Sequence, residues 1–173
     1  MRLGRSAWLS HGGMYVIRMH LGDTRDAHSP ARSSYVILWG DQMPVSARHD
    51  PFPVGAPYHG IYSHGVETRA GARMLHVSGQ VGQTPEGHLP PDFRGQCKQA
   101  LLNVSSVLSA ANMTLMDIVK MSFYLVRRED MDTLVEVRKE LLDGVRPAIT
   151  TLFVAGLVSP DWLVEVDVVA CAE

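Results

Sequence analysis

Between Phe93 and Val126 the chain changes its apolar period once, and that change demands a helix laid on a sheet. Phe93, Cys97, Leu101, Val104, Leu108 and Ala111 recur every three or four residues, while Arg94, Lys98 and Ser105 fall off the stripe. That is the spacing of a helix with one buried face. Asp92 stands where an N-cap carboxylate accepts from the free amides of the first turn, and Asn112 suits a left-handed stop. Thr114 to Asp117 reads as a short capped turn. From Ile118 to Val126 the period drops to two, with Val119, Met121, Phe123 and Leu125 on one side and Lys120, Ser122 and Tyr124 on the other.

The flanking segments extend the pattern. Arg127 to Asp130 is polar and helix-initiating; Met131, Leu134, Val135, Arg138, Leu141 and Leu142 give a second stripe, closed by Gly144 and barred from continuing by Pro147. Ile149 to Val154 and Leu163 to Cys171 read as the last two strands. Upstream, Gly60 to Val66 and Arg73 to Ser78 read as strands, joined by a turn at Arg69-Ala70-Gly71 into an expected hairpin. Gly82 to Pro91, rich in glycine and proline, is loop. The order strand, strand, helix, strand, helix, strand, strand predicts an α+β layer pair with both helices on one face of the sheet. On the last strand Val164, Val166 and Val168 should face the helices. Glu165 and Asp167 then lie on the free face, which must meet solvent or another subunit.

The first fifty or so residues differ. They carry scattered Arg, Ser, Gly and Pro and two short apolar runs, Met14 to Met19 and Ser34 to Trp39, each long enough for one strand. Residues 1-54 are therefore set apart as an N-terminal extension, a tail or extra hairpin, and 55-173 as the main domain. The 173 residues, 46% hydrophobic, suffice for one domain with a full core. With 16 Lys+Arg against 18 Asp+Glu and a net charge of -2, no overall field draws the chain to nucleic acid or to an acidic membrane. Cys97 and Cys171 fit neither a disulfide framework nor a zinc spacing. No stretch approaches the roughly 20 apolar residues of a membrane span, and Arg2 and Arg5 precede too short an apolar run for a signal peptide, so a cytoplasmic location is expected.

Four runs, in order, resemble one family: Tyr62-Ser63-His64-Gly65-Val66, Leu75-His76-Val77-Ser78-Gly79-Gln80, Arg146-Pro147-Ala148-Ile149-Thr150 and Val164-Glu165-Val166-Asp167-Val168-Val169-Ala170. They are similar to motifs of the Rid family (reactive intermediate deaminases, also called YjgF), over roughly Tyr58 to Ala170. The resemblance implies a chorismate-mutase-like two-layer fold with a mixed sheet. It also implies a homotrimer whose sheets form a central barrel, with small-molecule clefts between subunits. It places Tyr62, Ser78 and Gly79 along the cleft and makes Glu165 the carboxylate that positions the water attacking an imine carbon. A carboxylate held partly out of water can take that proton.

Two positions depart from the pattern. Ile149 stands where the family's arginine pairs with a substrate carboxylate, and Val135 where an asparagine is common. Isoleucine cannot form that charge-assisted pair. The expected function is therefore hydrolytic deamination of a neutral or weakly anionic enamine or imine, without preference for 2-imino acids and without cofactor. A non-catalytic trimer that binds a metabolite or partner protein is the alternative. An endoribonuclease is disfavoured by the net charge of -2 and because the region that resembles the family carries no basic stripe or clustered aromatic platform. Arg146 points elsewhere on a strand register and reads as a loop or interface arginine; Arg127 and Arg128 read as a solvated helix start. His59, His64 and His76 sit on two strands expected to pair, but no acidic partner completes a metal site.

Overall fold

The computed structural model describes residues 45–51, 54, 57 and 60–173 in full, and the backbone of four strands nearer the N-terminus. Those four are β1 (Gly4–Arg5), β2 (Ser10–His11), β3 (Met14–Leu21) and β4 (Arg32–Trp39). The two long ones pair antiparallel in continuous register from Met14↔Trp39 to Leu21↔Arg32. The two apolar runs, each long enough for one strand, thus pair with one another. By its internal contacts the chain divides into Met1–Pro44 and Val45–Glu173.

The second part carries β5 (Ser46–His49), β6 (Gly65–Thr68), β7 (Arg73–Val81), α1 (Phe93–Ala110), β8 (Ile118–Leu125), α2 (Met131–Leu141), β9 (Ala148–Phe153) and β10 (Val164–Ala172). Its main sheet runs β7-β10-β8-β9, mixed in sense: β10 is antiparallel to both neighbours, and β8 and β9 are parallel. The core between sheet and helices is built from the predicted faces, with Phe93, Cys97, Leu101, Val104 and Leu108 of α1, Leu134 of α2, Met121, Phe123 and Leu125 of β8, and Val164, Val166 and Val168 of β10, joined by Val137 of α2, which the stripe did not include. The α+β reading with both helices on one face holds.

The helix ends follow the predicted chemistry. The Asp92 carboxylate accepts from the Gly95 amide at 2.8 Å, and Asn112 takes φ 55°, the left-handed stop. Thr114 and Asp117 close a capping box around the turn before β8.

The expected hairpin between Gly60–Val66 and Arg73–Ser78 does not form. Ser63 instead makes a parallel bridge to Ala148, its amide donating to Pro147 O at 3.0 Å. Gly65–Thr68 pairs with Ser46–His49, and β7 gives its edge to β10. Neighbours in sequence usually pair; here more distant partners win. The polar tetrapeptide Ser46-Ala47-Arg48-His49, counted with the N-terminal extension above, thereby joins the main body.

Gln96 stitches three segments where α1 meets the strand ends. Its amide nitrogen donates to Pro90 O and Asp161 O, each at 3.0 Å, and its Oε1 accepts from the Leu163 amide at 2.8 Å. Gly82 makes this possible, because a Cβ there would lie 2.6 Å from Gln96 Cβ and 2.7 Å from Gln96 O. The obstacle is helix backbone, which cannot swing away. Gly82→Ala is expected to destabilise the fold by about 1–3 kcal/mol, the usual range for overpacking. A urea titration reads this as a lower midpoint at unchanged slope.

Candidate functional site

The clearest concentration of chemistry lies on the sheet face away from the helices. Along β7 and β10 the register slips: Val166 pairs with Gln80 but Val168 with Val77, so Ser78 and Gly79 together oppose the single residue Asp167. This β-bulge falls within the Ser-Gly-Gln triplet, and such irregularities commonly re-aim side chains at functional sites. The Glu165 side chain lies directly against Gly79; a Cβ at 79 would overlap its carboxylate and sit 2.7 Å from Cδ. Glycine at 79 is thus the space the carboxylate occupies.

Across the other edge of β10, Glu165 pairs with Tyr124 and Asp167 with Ser122. The Tyr124 hydroxyl donates to Asp167 Oδ2 at 2.8 Å. That bond raises the pKa of the phenol above its ordinary value, helped by the nearby charges of Asp167 and Glu165. Glu165 is half-buried and the bulge residues Ser78 and Gly79 are exposed, so the carboxylate is reachable and held by a fixed backbone. Nothing in the sequence marks Tyr124 as Asp167's partner, because the pairing depends on register between distant strands.

The other predicted residues form a separate neighbourhood. Ile149 pairs with Met121, whose side chain is in the core, and itself packs against that core, so it belongs to the helix side of β9. Tyr62 precedes Ser63, which bridges to Ala148 beside Ile149. Val135 is buried on α2, one turn before Arg138, whose Nη2 donates to Ile61 O at 2.8 Å. Within one chain, then, Ser78, Gly79 and Glu165 gather on one sheet face, while Ile149 lies on the helix side of β9 with the Tyr62 backbone beside that strand and Val135 buried on α2.

Arg146 is built into the second neighbourhood. Its Nη2 donates to Asp50 Oδ2 at 2.8 Å and to Tyr62 O at 3.1 Å, while Asp50 Oδ1 accepts from the His64 amide at 2.8 Å. The segment after β5 thus anchors the chain around Tyr62. Arg127 forms two hydrogen bonds with Asp130 at 2.8 and 3.1 Å, and Arg128 lies over the Phe153 ring at 4.7 Å. Because β6 and β7 do not pair, the arrangement that would bring His64 and His76 side by side is absent; His59 lies outside the described residues. Cys97 and Cys171 are buried free thiols, and burial pushes Cys97 up to about 12. Among the described residues no helix is long and apolar enough to cross a membrane.

A two-layer α+β body with a bulge-set carboxylate on its free sheet face defines the class. The chain belongs to the family described as Endoribonuclease L-PSP, whose model matches residues 55–172, the YjgF/Rid family of the sequence motifs. It is similar to the reactive intermediate deaminase TdcF of Escherichia coli K12, 33% identical over 85 residues. That alignment covers 49% of this chain and 64% of TdcF, just under two thirds of the relative. A RutC family protein of Pyrococcus horikoshii is 30% identical over 131 residues, covering 75% of this chain and 97% of that one. Among solved structures, the Rid family protein YyfB of Yersinia pestis superposes with a TM-score of 0.66 at 27% identity, covering 74% of this chain and 99% of its own. Escherichia coli TdcF with bound serine superposes at 0.56 and 30% identity, covering 72% and 94%.

Proposed function

We propose that the protein is a hydrolytic deaminase of a neutral or weakly anionic enamine or imine, with Glu165 as the residue that positions and deprotonates the attacking water. The observation that carries this is the Glu165 carboxylate seated against Gly79 at the β-bulge. Relatives named as reactive intermediate deaminase and as 2-iminobutanoate/2-iminopropanoate deaminase support the reaction class. Water adds to the imine carbon as its proton passes to the carboxylate. Return of that proton to nitrogen gives a carbinolamine; the carboxylate then takes the hydroxyl proton and passes it to the amine, so ammonia leaves as the carbonyl forms. Ser78, exposed beside Gly79, orients the ligand.

The two neighbourhoods explain how a cleft would be assembled. Tyr62 and Ile149 stand at β9, and Ser78, Gly79 and Glu165 on the opposite face; a cleft that uses both sets takes one from each of two copies. This is the homotrimeric arrangement the family resemblance implies, and light scattering on the purified protein tests it. Ile149, only partly buried, gives that cleft an apolar wall in place of a carboxylate handle.

Ammonia release from enamines generated in situ, comparing a neutral substrate with one derived from an amino acid, tests the reading. Faster turnover of the neutral compound is expected; no turnover of any imine would leave the non-catalytic binding protein as the better description. Ile149→Arg should raise kcat/KM on 2-iminopropanoate by about tenfold, since one charge-assisted contact is worth about 1.5–3 kcal/mol. An unchanged preference would show that position 149 does not face the ligand.

A further inference from the structure

Three buried side-chain polar atoms have no hydrogen-bond partner among the described residues: Ser63 Oγ, Arg138 Nε and Arg146 Nε. They are neighbours. Arg138 donates to Ile61 O, Arg146 to Tyr62 O, and Ser63 follows in the chain. Buried polar groups are nearly always satisfied, so orphans gathered at one place point to a ligand or water that completes them.

Arg138 is the more telling of the two arginines. Its residue is only 5% exposed, yet among the described residues its contacts are a backbone carbonyl and the face of the Phe123 ring at 5.5 Å, with no carboxylate in ion-pair range. A buried guanidinium without a counter-charge is costly. Burial lowers its pKa to about 10, still charged at neutral pH. Arg138, Lys139 and Arg146 line one cavity of about 380 Å³ with Ile61, Leu142 and Val145; Asp143 is the one acid among the lining residues. That volume lies in the range of small-molecule sites.

We propose that this pocket, between the C-terminal end of α2 and the Gly60–Ile61 segment, binds a small oxyanion, a carboxylate or phosphate group, through the guanidinium of Arg138. Arg146, tied to Asp50, fixes one wall and Lys139 adds charge at the mouth. Leu142 and Val145 leave room for a short aliphatic body. Neither Tyr62, Ile149 nor Glu165 lines the cavity, and the inference does not rest on the deaminase reading.

Titration calorimetry of the full chain with sodium phosphate and with sodium acetate, against sodium chloride at equal ionic strength, tests it. Saturable binding of at least one oxyanion is expected, and which of the two binds assigns the group. Arg138→Met should weaken it about tenfold or more, the scale of one lost charge-assisted contact. Asp143→Asn, exposed and able to fold whatever happens at 138, should tighten it about threefold by removing the opposing charge. Heats no different from those of chloride would overturn the proposal, as would equal binding by Arg138→Met or no change in Asp143→Asn.

Discussion

Glu165→Gln is expected to lower kcat/KM for ammonia release by about 10²–10⁴-fold, the range for loss of a positioned general base. Glutamine keeps the shape and can still hydrogen-bond a water, but it cannot take its proton. The substitution should leave the fold intact, because the side chain is half-buried on the sheet face away from the core and its strand is held by backbone pairing on both edges. Initial rates on a neutral enamine, with circular dichroism and light scattering to confirm an unchanged fold and assembly, make the measurement. A rate within twofold of the parent would remove Glu165 from the reaction. Asp167→Asn serves as the internal comparison: its carboxylate is occupied by the Tyr124 hydroxyl, so a smaller loss is expected there, and the two substitutions separate a catalytic carboxylate from a charged strand face.

What the sequence makes legible here is periodicity and local chemistry. The α1 stripe, the alternation of β8 and the parity of β10 all read correctly, because one buried face imposes a period on its residues whatever their partner. Caps such as Asp92 and Asn112 read equally well, being settled within a turn or two. Partner choice does not read this way. Ser46–His49 has no apolar alternation, yet it pairs with Gly65–Thr68 and lets Asp50 hold Arg146.

Long-range register hides the finer parts of the site. The pairing of Tyr124 with Glu165 and the slip that sets two residues of β7 against Asp167 each depend on two strands far apart in the chain. Glu165 and Gly79 could be named separately from motifs, but not their contact. Arg138 shows a different failure. Its spacing places it on the apolar stripe of α2 and the structure does bury it, yet nothing local reveals that its charged end meets a carbonyl and an aromatic ring rather than a carboxylate.

The contact between Gly79 and Glu165 yields the second large effect. Gly79→Ala should cut kcat about 10²-fold with little loss of stability. The new Cβ would occupy the place of the carboxylate, and a displacement of about 1 Å at a reacting group costs on that order. The obstacle is the far end of a flexible side chain, so Glu165 can swing aside and the sheet need not open; this is the opposite of Gly82, whose neighbour is helix backbone. Glycine at 79 could instead serve to let a ligand approach the main chain, and a double-mutant cycle separates the two roles. If the alanine acts by moving the carboxylate, its effect should nearly vanish in the Glu165→Gln background, where that carboxylate no longer contributes, giving strong non-additivity between residues in contact. If it acts on the ligand, the two losses should add. A fully additive cycle would mean that Gly79 does not set the position of Glu165, and that the bulge is shaped for the ligand rather than for the base.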